Sequence, residues 1–361
     1  MNEKKNIGMN NLYKFLIAFL IIAISSPIFA GNKDRSGQAG ASELLINPWA
    51  RSAGWGNANM ARVRGLEAMW GNVAGTAFTK KTELIFAHTQ WLKGTGTSVY
   101  AFGLTQRVGE SGVFGLQIMS MSFGEIQITT GSSPDGGLGV YKPSLMNFAL
   151  SYAKAFSNSI YGGILVKVIS ESISDVTAVG VAIDAGIQYV TGEHDQVAFG
   201  VALKNVGPQM KFSGDGLSFK DLIEMKGIDQ GYTFNQRSQG YEIPTMLTIG
   251  AAYDFLFAND YSLNLAGTFI SNSFSKDQFA LGLEGNLKNW VMLRVGYTYE
   301  QGLWDGIETT EKTNLSSGLS LGATVQVPIN KEKGTHFAID YAYRETVSFN
   351  GNHSIGILLN F

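Results

Sequence analysis

The last nine residues, His353-Ser354-Ile355-Gly356-Ile357-Leu358-Leu359-Asn360-Phe361, carry an apolar side chain at every second position. In a strand, Ile355, Ile357, Leu359 and Phe361 therefore project from one face. A soluble domain rarely ends in this way, because chain ends fray unless they are tied down. A membrane β-barrel needs such a strand to pair with its first strand, since an open edge in lipid leaves backbone groups unsatisfied. The last strand of a soluble sandwich is the alternative.

The first thirty residues have the pattern of a secretory signal peptide. Lys4, Lys5 and Lys14 precede the short apolar run 15–24, and the small residues before Ala30 provide a cleavage site. The run is too short for a membrane-spanning helix, which needs about 20 apolar residues. We therefore expect residues 1–30 to be removed after export.

Composition narrows the class of protein. The formal charge of −2 makes nucleic acid an unsuitable partner, and the absence of cysteine excludes disulfides and thiolate chemistry. Forty-four glycines against seven prolines favour many strands joined by close turns. After the signal peptide, no apolar run is long enough for a spanning helix. A soluble all-β protein and an outer-membrane barrel remain.

Period-two alternation predicts an all-β fold, a transmembrane antiparallel β-barrel of about 14 strands. The predicted strand centres are Phe86, Phe102, Leu116, Phe148, Ile164, Ile183, Phe199, Ile249, Leu265, Leu281, Val295, Leu321, Ile339 and Ile357. The charged strand residues Asp184, Glu284, Arg294, Asp340 and Arg344 share the face opposite the apolar one. That polar face is otherwise mostly small, which suits a crowded lumen better than the solvated face of a sandwich. The apolar face is expected to contact outer-membrane lipid.

The region before the strands has a different composition. Residues 31–42 are small and polar and predict a flexible lead-in. Residues 43–80 combine glycines with single large rings and predict a plug inside the barrel, which itself spans 81–361. The plug residues that we single out are Pro48, Trp49, Arg51, Gly54, Gly56, Trp70 and Asn72.

Two long connections, near 125–142 and 206–242, interrupt the strands. The second carries Pro208, Met210, Phe212, Leu217 and Phe219, which must pack within the barrel mouth or against a partner. Residues 217–226 favour a short amphipathic helix.

No pattern points to catalysis. The four histidines, His88, His194, His336 and His353, show no metal-ligand spacing. We therefore expect a protein that is not an enzyme and holds no metal or cofactor. A Ser–His pair of the outer-membrane lipase kind stays open, because the members of such a pair can lie far apart in sequence.

Two segments resemble the PorV/PorQ family of the type IX secretion system. The first runs from Ala41 to Ala58 and includes Asn47-Pro48-Trp49-Ala50-Arg51 and Gly54-Trp55-Gly56-Asn57. The second joins Leu203-Lys204-Asn205-Val206-Gly207-Pro208 to residues 243–253. The terminal strand also resembles the insertion signal of outer-membrane barrels. One departure is Val73, which stands where the family has a proline, so the rigid φ of proline is missing from the plug there.

This resemblance implies a FadL-like barrel with an N-terminal segment in its lumen, located in the cell outer membrane. It also implies a role in type IX secretion, with cargo C-terminal domains and translocon or attachment-complex proteins as partners. The alternative is a FadL-like channel for hydrophobic small molecules.

Overall fold

A closed antiparallel barrel of fourteen strands forms the body of the protein. The computed structural model describes residues 31–225, 228–257, 260–305, 314–330 and 334–361, so the predicted signal peptide lies outside the described residues. The barrel strands are β1 (Thr82–Gln90), β2 (Ser98–Val108), β3 (Gly112–Ser122), β6 (Ser144–Ala155), β7 (Ile160–Ile173), β8 (Val176–Thr191), β9 (Val197–Val206), β13 (Met246–Leu256), β14 (Tyr261–Asn272), β15 (Gln278–Leu287), β16 (Val291–Glu300), β17 (Ser316–Asn330), β18 (Thr335–Thr346) and β19 (Asn352–Asn360).

Five short strands lie in the two long connections: β4 (Ile126–Gln127), β5 (Val140–Tyr141), β10 (Phe212–Ser213), β11 (Ser218–Met225) and β12 (Ile228–Asn235). The described helices are a single α-helical turn, Ala50–Ala53, and the 3-10 helices Lys33–Arg35, Ser42–Leu45, Gly65–Met69, Val73–Phe78 and Asp215–Leu217. None of the helices within the described ranges is long and apolar enough to cross a membrane.

The last strand closes the barrel as predicted. Strand β19 pairs with β1 in antiparallel register, with Ile357 opposite Phe86, and the Phe361 amide donates to the Thr82 carbonyl at 2.9 Å. The side chains of Ile355 and Ile357 point outward and are about half exposed. This pairing removes the open edge that lipid would not tolerate.

Each predicted strand centre lies in a different barrel strand, so the strand count is confirmed. The two faces also have the predicted polarity. In β8, Ile183 is exposed on the outer face, whereas its neighbour Asp184 is buried on the inner face. The apolar residues therefore cover the outside of the barrel, and the charged strand residues line the lumen.

The connections differ in length between the two ends of the barrel. At one end, here called the short-turn end, short connections such as 109–111 and 156–159 join the strands. At the opposite end, the long-loop end, lie the connections 123–143 and 207–245.

The second long connection differs from its prediction. Strands β11 and β12 pair along their whole length as a hairpin, so the amphipathic helix predicted for 217–226 is wrong over Ser218–Met225, and residue 226 lies outside the described residues. A pairing partner eight residues long outweighs the weak helical periodicity of so short a segment.

The wall is irregular where β9 ends. Between Ile183 and Ala185 the register with β9 shifts by one residue, which is a β-bulge. Asn205 lies in the bulge at φ +59°, a conformation that asparagine tolerates. Its amide N–H donates to Asp184, and its side-chain oxygen accepts from Lys167 Nζ, both at 2.6 Å. A buried polar network therefore fixes the bulge.

Candidate functional site

The N-terminal segment, residues 31–80, runs along the inside of the barrel from the long-loop end to the short-turn end. At its start, the Asn32 amide donates to the carbonyl of Asn272, the last residue of β14. At its end, the Thr79 hydroxyl donates to Thr105 Oγ1 on β2 at 3.0 Å. Between these points, most of residues 41–79 are buried.

Residues 31–42, which the composition predicts as a flexible lead-in, contact the rim of the barrel at several points. Arg35 pairs with Glu242 at 2.8 Å and lies 4.1 Å from the centre of the Phe274 ring. Ala39 forms a parallel bridge with Glu242, and Ala41 is buried. Composition does not reveal these contacts, because the partner residues belong to the rim of the barrel. Residues 31–42 themselves have no periodic pattern that would indicate them.

Glycines of the wall allow the backbone of the N-terminal segment to come close. A Cβ atom added to Gly296 would lie 2.2 Å from the carbonyl carbon of Trp55. A Cβ atom on Gly54 would lie 2.8 Å from the Cα atom of Gly322. These inward glycines on β16 and β17 therefore have a packing role that repeats along the contact.

Replacing Gly296 with alanine is expected to destabilise the protein by at least about 2 kcal/mol, because the methyl group would overlap the backbone of Trp55. Urea unfolding of the detergent-solubilised protein measures this change. The matched control is Gly285→Ala on β15, where a Cβ atom meets nothing within 4 Å. Equal stability of the two variants would contradict the close packing at Gly296.

The residues predicted for the plug pack together or against the wall. Pro48, Trp49, Gly54, Gly56, Trp70 and Asn72 are buried, and Arg51 is partly exposed. Trp49 and Trp70 belong to an apolar cluster with Ile85 of β1 and Leu358 of β19. That this segment closes the lumen as a plug stays a prediction.

Asn72 joins the segment to two strands. Its Nδ2 donates to the carbonyl of Ile187 on β8 at 3.0 Å and to that of Val201 on β9 at 3.4 Å. Its Oδ1 accepts from the Ala74 amide and so caps the 3-10 helix Val73–Phe78. This cap holds the start of the helix at Val73, where the resembling family has a proline.

Arg51 forms the main ionic contact between the segment and the wall. Its Nε donates to Asp340 Oδ1 at 3.0 Å, and Thr324 also donates to this carboxylate. Arg294 donates to Thr324 at 2.6 Å and pairs with Glu284. The charged residues of neighbouring strands thus form a continuous network beneath Arg51.

Two further cations connect the segment and the wall. Arg62 of the segment pairs with Asp254 of β13. On the neighbouring strand β9, Lys204 Nζ lies 3.5 Å from the centre of the Trp70 ring, a cation–π contact. Among the described residues, this ammonium group has no hydrogen-bond partner. Trp70 can be identified from the sequence as a plug residue, whereas the contact made by Lys204 follows only from its place on the inner face of the barrel.

A cavity of about 570 Å³ opens at the long-loop end, and we call it the mouth cavity. The N-terminal segment forms its floor through residues such as Ile46, Met60 and Trp70. The apolar part of its wall includes Trp91, Leu92, Met121, Phe123, Leu145, Met246, Ile270 and Leu315. Half of the lining residues are polar, among them Glu43, Glu300 and Arg344. This mixed lining can hold an apolar ligand against its aromatic and aliphatic side chains and also offers it several polar contacts.

Glu43 is the buried acid of the mouth cavity, with 1% of its surface exposed. Its carboxylate lies beside that of Glu171 on β7 and the amide of Asn147 on β6. Burial, reinforced by the negative charge of Glu171, raises the pKa of Glu43 to about 7. Tyr241 of the long connection donates its hydroxyl to Glu171. The N-terminal segment, the barrel wall and the long connection therefore meet around Glu43 and Glu171. No sequence pattern links these three parts of the chain.

The predicted partner-binding residues lie in different surroundings. Met210 is fully buried in an apolar cluster with Leu44 and Ile243, and Phe212 packs beside it. Leu217 is partly buried, whereas Pro208 and Phe219 are exposed. The Phe219 ring stacks on Phe234 across the β11–β12 hairpin, at 5.6 Å between centres. Met210 and Phe212 thus pack within the molecule, and only part of the predicted surface is open to a partner.

This chain is similar to known proteins in its fold. No protein-family model matches the chain, and no curated protein matches it. A solved structure described as the CymD monoaromatic hydrocarbon channel matches with a TM-score of 0.55 and 11% identity, over 88% of this chain and 98% of that one. The toluene transporter TodX of Pseudomonas putida matches with a TM-score of 0.50 and 11% identity, over 84% and 96%. The chain therefore has the fold of a FadL-like outer-membrane β-barrel.

Proposed function

We propose that the protein is an outer-membrane channel for hydrophobic small molecules, and that its mouth cavity is the first binding site. The observation that carries this proposal is the group of aromatic and aliphatic residues, among them Trp70, Trp91 and Met121, that forms half of the lining of a cavity of about 570 Å³ at the long-loop end. Ligand sites of this kind have volumes of about 300–1,000 Å³. Long connections of outer-membrane barrels face the exterior, so the mouth cavity would be open to molecules arriving from outside.

The structural neighbours support this proposal over the secretion role. Both are named for hydrocarbon or toluene transport, and both match nearly their full length. None of the comparisons supports the PorV/PorQ resemblance. Met210 is buried, in agreement with the first of its two predicted roles, packing within the barrel mouth.

The secretion role has its own test. Deleting the gene should leave type IX cargo in the periplasm or unattached if that role is correct. Normal export and attachment in the deletion strain would exclude it.

In the proposed mechanism, the N-terminal segment is a plug that must shift before a ligand can pass through the lumen. The segment separates the mouth cavity from the short-turn end, since its residues form the floor of the cavity and pack against wall glycines. Arg51–Asp340 and Arg62–Asp254 are ionic contacts that hold the segment in place. Aromatic residues of the floor, such as Trp70, provide a surface to which an apolar ligand binds before the segment shifts.

Met121 tests the mouth cavity as a binding site. The variant Met121→Arg should bind an apolar ligand at least about tenfold more weakly, because a guanidinium group would have to lose its hydration beside the ligand. Bromobenzene is a suitable probe, since its bromine quenches tryptophan fluorescence on contact and both Trp70 and Trp91 line the cavity. The measurement is a quenching titration of the purified protein in lipid nanodiscs.

The matched control is Leu138→Arg, which places the same charge on an exposed residue of the 123–143 connection. Leu138 does not line the mouth cavity. We expect this variant to bind bromobenzene as the unmodified protein does. Equal affinity of the Met121 variant and the control would contradict the proposed site.

A further inference from the structure

We infer that Glu43, Glu171 and Asn147 form a binding site for a hard divalent cation, calcium above all, at the inner edge of the mouth cavity. The inference goes beyond the proposed function, since it concerns an ion and not the transported molecule.

The three side chains converge from separate elements. Asn147 of β6 is opposite Ile169 of β7, and Glu171 follows Ile169 by two residues on the same inner face. Asn147 and Glu171 are thus diagonal neighbours on adjacent strands. The N-terminal segment brings Glu43 over this pair, where Leu44 packs with Ile169 in one apolar cluster.

Several oxygen atoms at this point need a positive partner. Neither carboxylate oxygen of Glu43, nor Oδ1 of Asn147, has a hydrogen bond of ordinary length and angle to any residue that the structure describes, although the Asn147 amide lies close enough to Glu43 to oppose the rise of its pKa. Glu43 and Asn147 are 1% and 6% exposed. Buried acceptors without donors are costly, and two adjacent carboxylates also repel each other.

A cation stabilises these buried oxygen atoms better than a proton shared between two of them. One proton between Glu43 and Glu171 gives a donor to a single oxygen, whereas a cation can be bound by all three side chains together. Calcium takes six to eight oxygen ligands in flexible geometry, including carboxylates and amide oxygens. The mouth cavity, which Glu43 lines, provides access for the ion and for the water molecules that complete its coordination.

The bound ion would join three parts of the molecule. Glu43 belongs to the N-terminal segment, Asn147 and Glu171 to the wall, and Tyr241 of the long connection donates to Glu171. Calcium is therefore expected to fix the floor and the rim of the mouth cavity against each other.

The test is equilibrium dialysis of calcium against the EDTA-treated full-length protein in detergent. We expect one calcium ion per chain, with a dissociation constant of about 0.1–1 mM, the range of extracellular calcium modules. Glu43→Gln should weaken binding by at least about tenfold, because it removes one of the two charged ligands. Glu242→Gln is the control, since Glu242 is a carboxylate of the same rim that pairs with Arg35. It should bind calcium as the unmodified protein does.

Absence of calcium binding by the unmodified protein would overturn the inference, as would equal binding by Glu43→Gln. A third outcome would show that Glu43 and Glu171 share a proton and bind no cation, which also overturns the inference. In that case calcium has no effect, and the melting temperature of the unmodified protein falls as the pH rises toward 7, whereas that of Glu43→Gln does not. A circular dichroism spectrum of each variant shows that the barrel is folded. Bromobenzene binding is scored separately, so failure of the ion site leaves the proposed function standing.

Discussion

A disulfide between positions 50 and 356 is expected to abolish uptake of hydrophobic molecules. A Cβ atom on Gly356 of β19 would lie 3.3 Å from the Cβ atom of Ala50, close to the separation of about 3.5–4.5 Å found in disulfides. The double variant Ala50→Cys/Gly356→Cys would therefore tie the N-terminal segment to the wall. The protein has no cysteine of its own, so no other disulfide competes.

Uptake of radiolabelled toluene by cells that produce the double variant measures the effect. Under oxidising conditions, uptake should fall to that of cells without the protein, and a reductant should restore it. The single variant Gly356→Cys should respond to neither treatment. Full uptake through the cross-linked protein would show that this part of the segment does not move during transport.

Replacing Arg51 with alanine is expected to destabilise the folded protein by about 3 kcal/mol, because it leaves a buried carboxylate without its cation. Asp340 is only 1% exposed, and Thr324 would be its one remaining donor among the described contacts. Arg51 also lies near Glu67, whose pKa burial raises while Arg51 opposes that shift. Losing the guanidinium therefore leaves two acids in a worse environment.

Urea unfolding in detergent measures this loss of stability. The matched control is the double variant Arg51→Met/Asp340→Asn, which removes both charges and leaves no unpaired ion. It should regain most of the stability that Arg51→Ala loses. If Arg51→Ala unfolds at the same urea concentration as the unmodified protein, the pair does not hold the segment to the wall.

The barrel wall was largely predictable. Ile355, Ile357 and Phe361 alternate with small or polar residues because one face of the strand is the outer surface of the barrel and the other faces the lumen. The same constraint acts on every strand, so all fourteen centres could be located from periodicity alone. The 217–226 segment was not predictable in this way, since it lies outside the barrel and no membrane imposes a period on it.

The lumen was predictable only in outline. Composition separated residues 43–80 from the strands, and Trp49, Arg51, Trp70 and Asn72 are all in contact with other parts of the lumen. Lys204 and Glu171 were missed, because an inward-facing polar residue has the same sequence signal whether it meets water, backbone or another charge.

By itself, the sequence determined that the chain is a barrel with an apolar outer face and a closing strand at Phe361. The physical reason is that a barrel wall with an apolar outer face and a polar inner face demands a period of two, which any of its strands displays locally. Only the tertiary structure decided which inner residues meet. Glu43, Asn147, Glu171 and Tyr241 converge because strand register and the path of the N-terminal segment bring distant positions together, and neither leaves a local pattern in the chain.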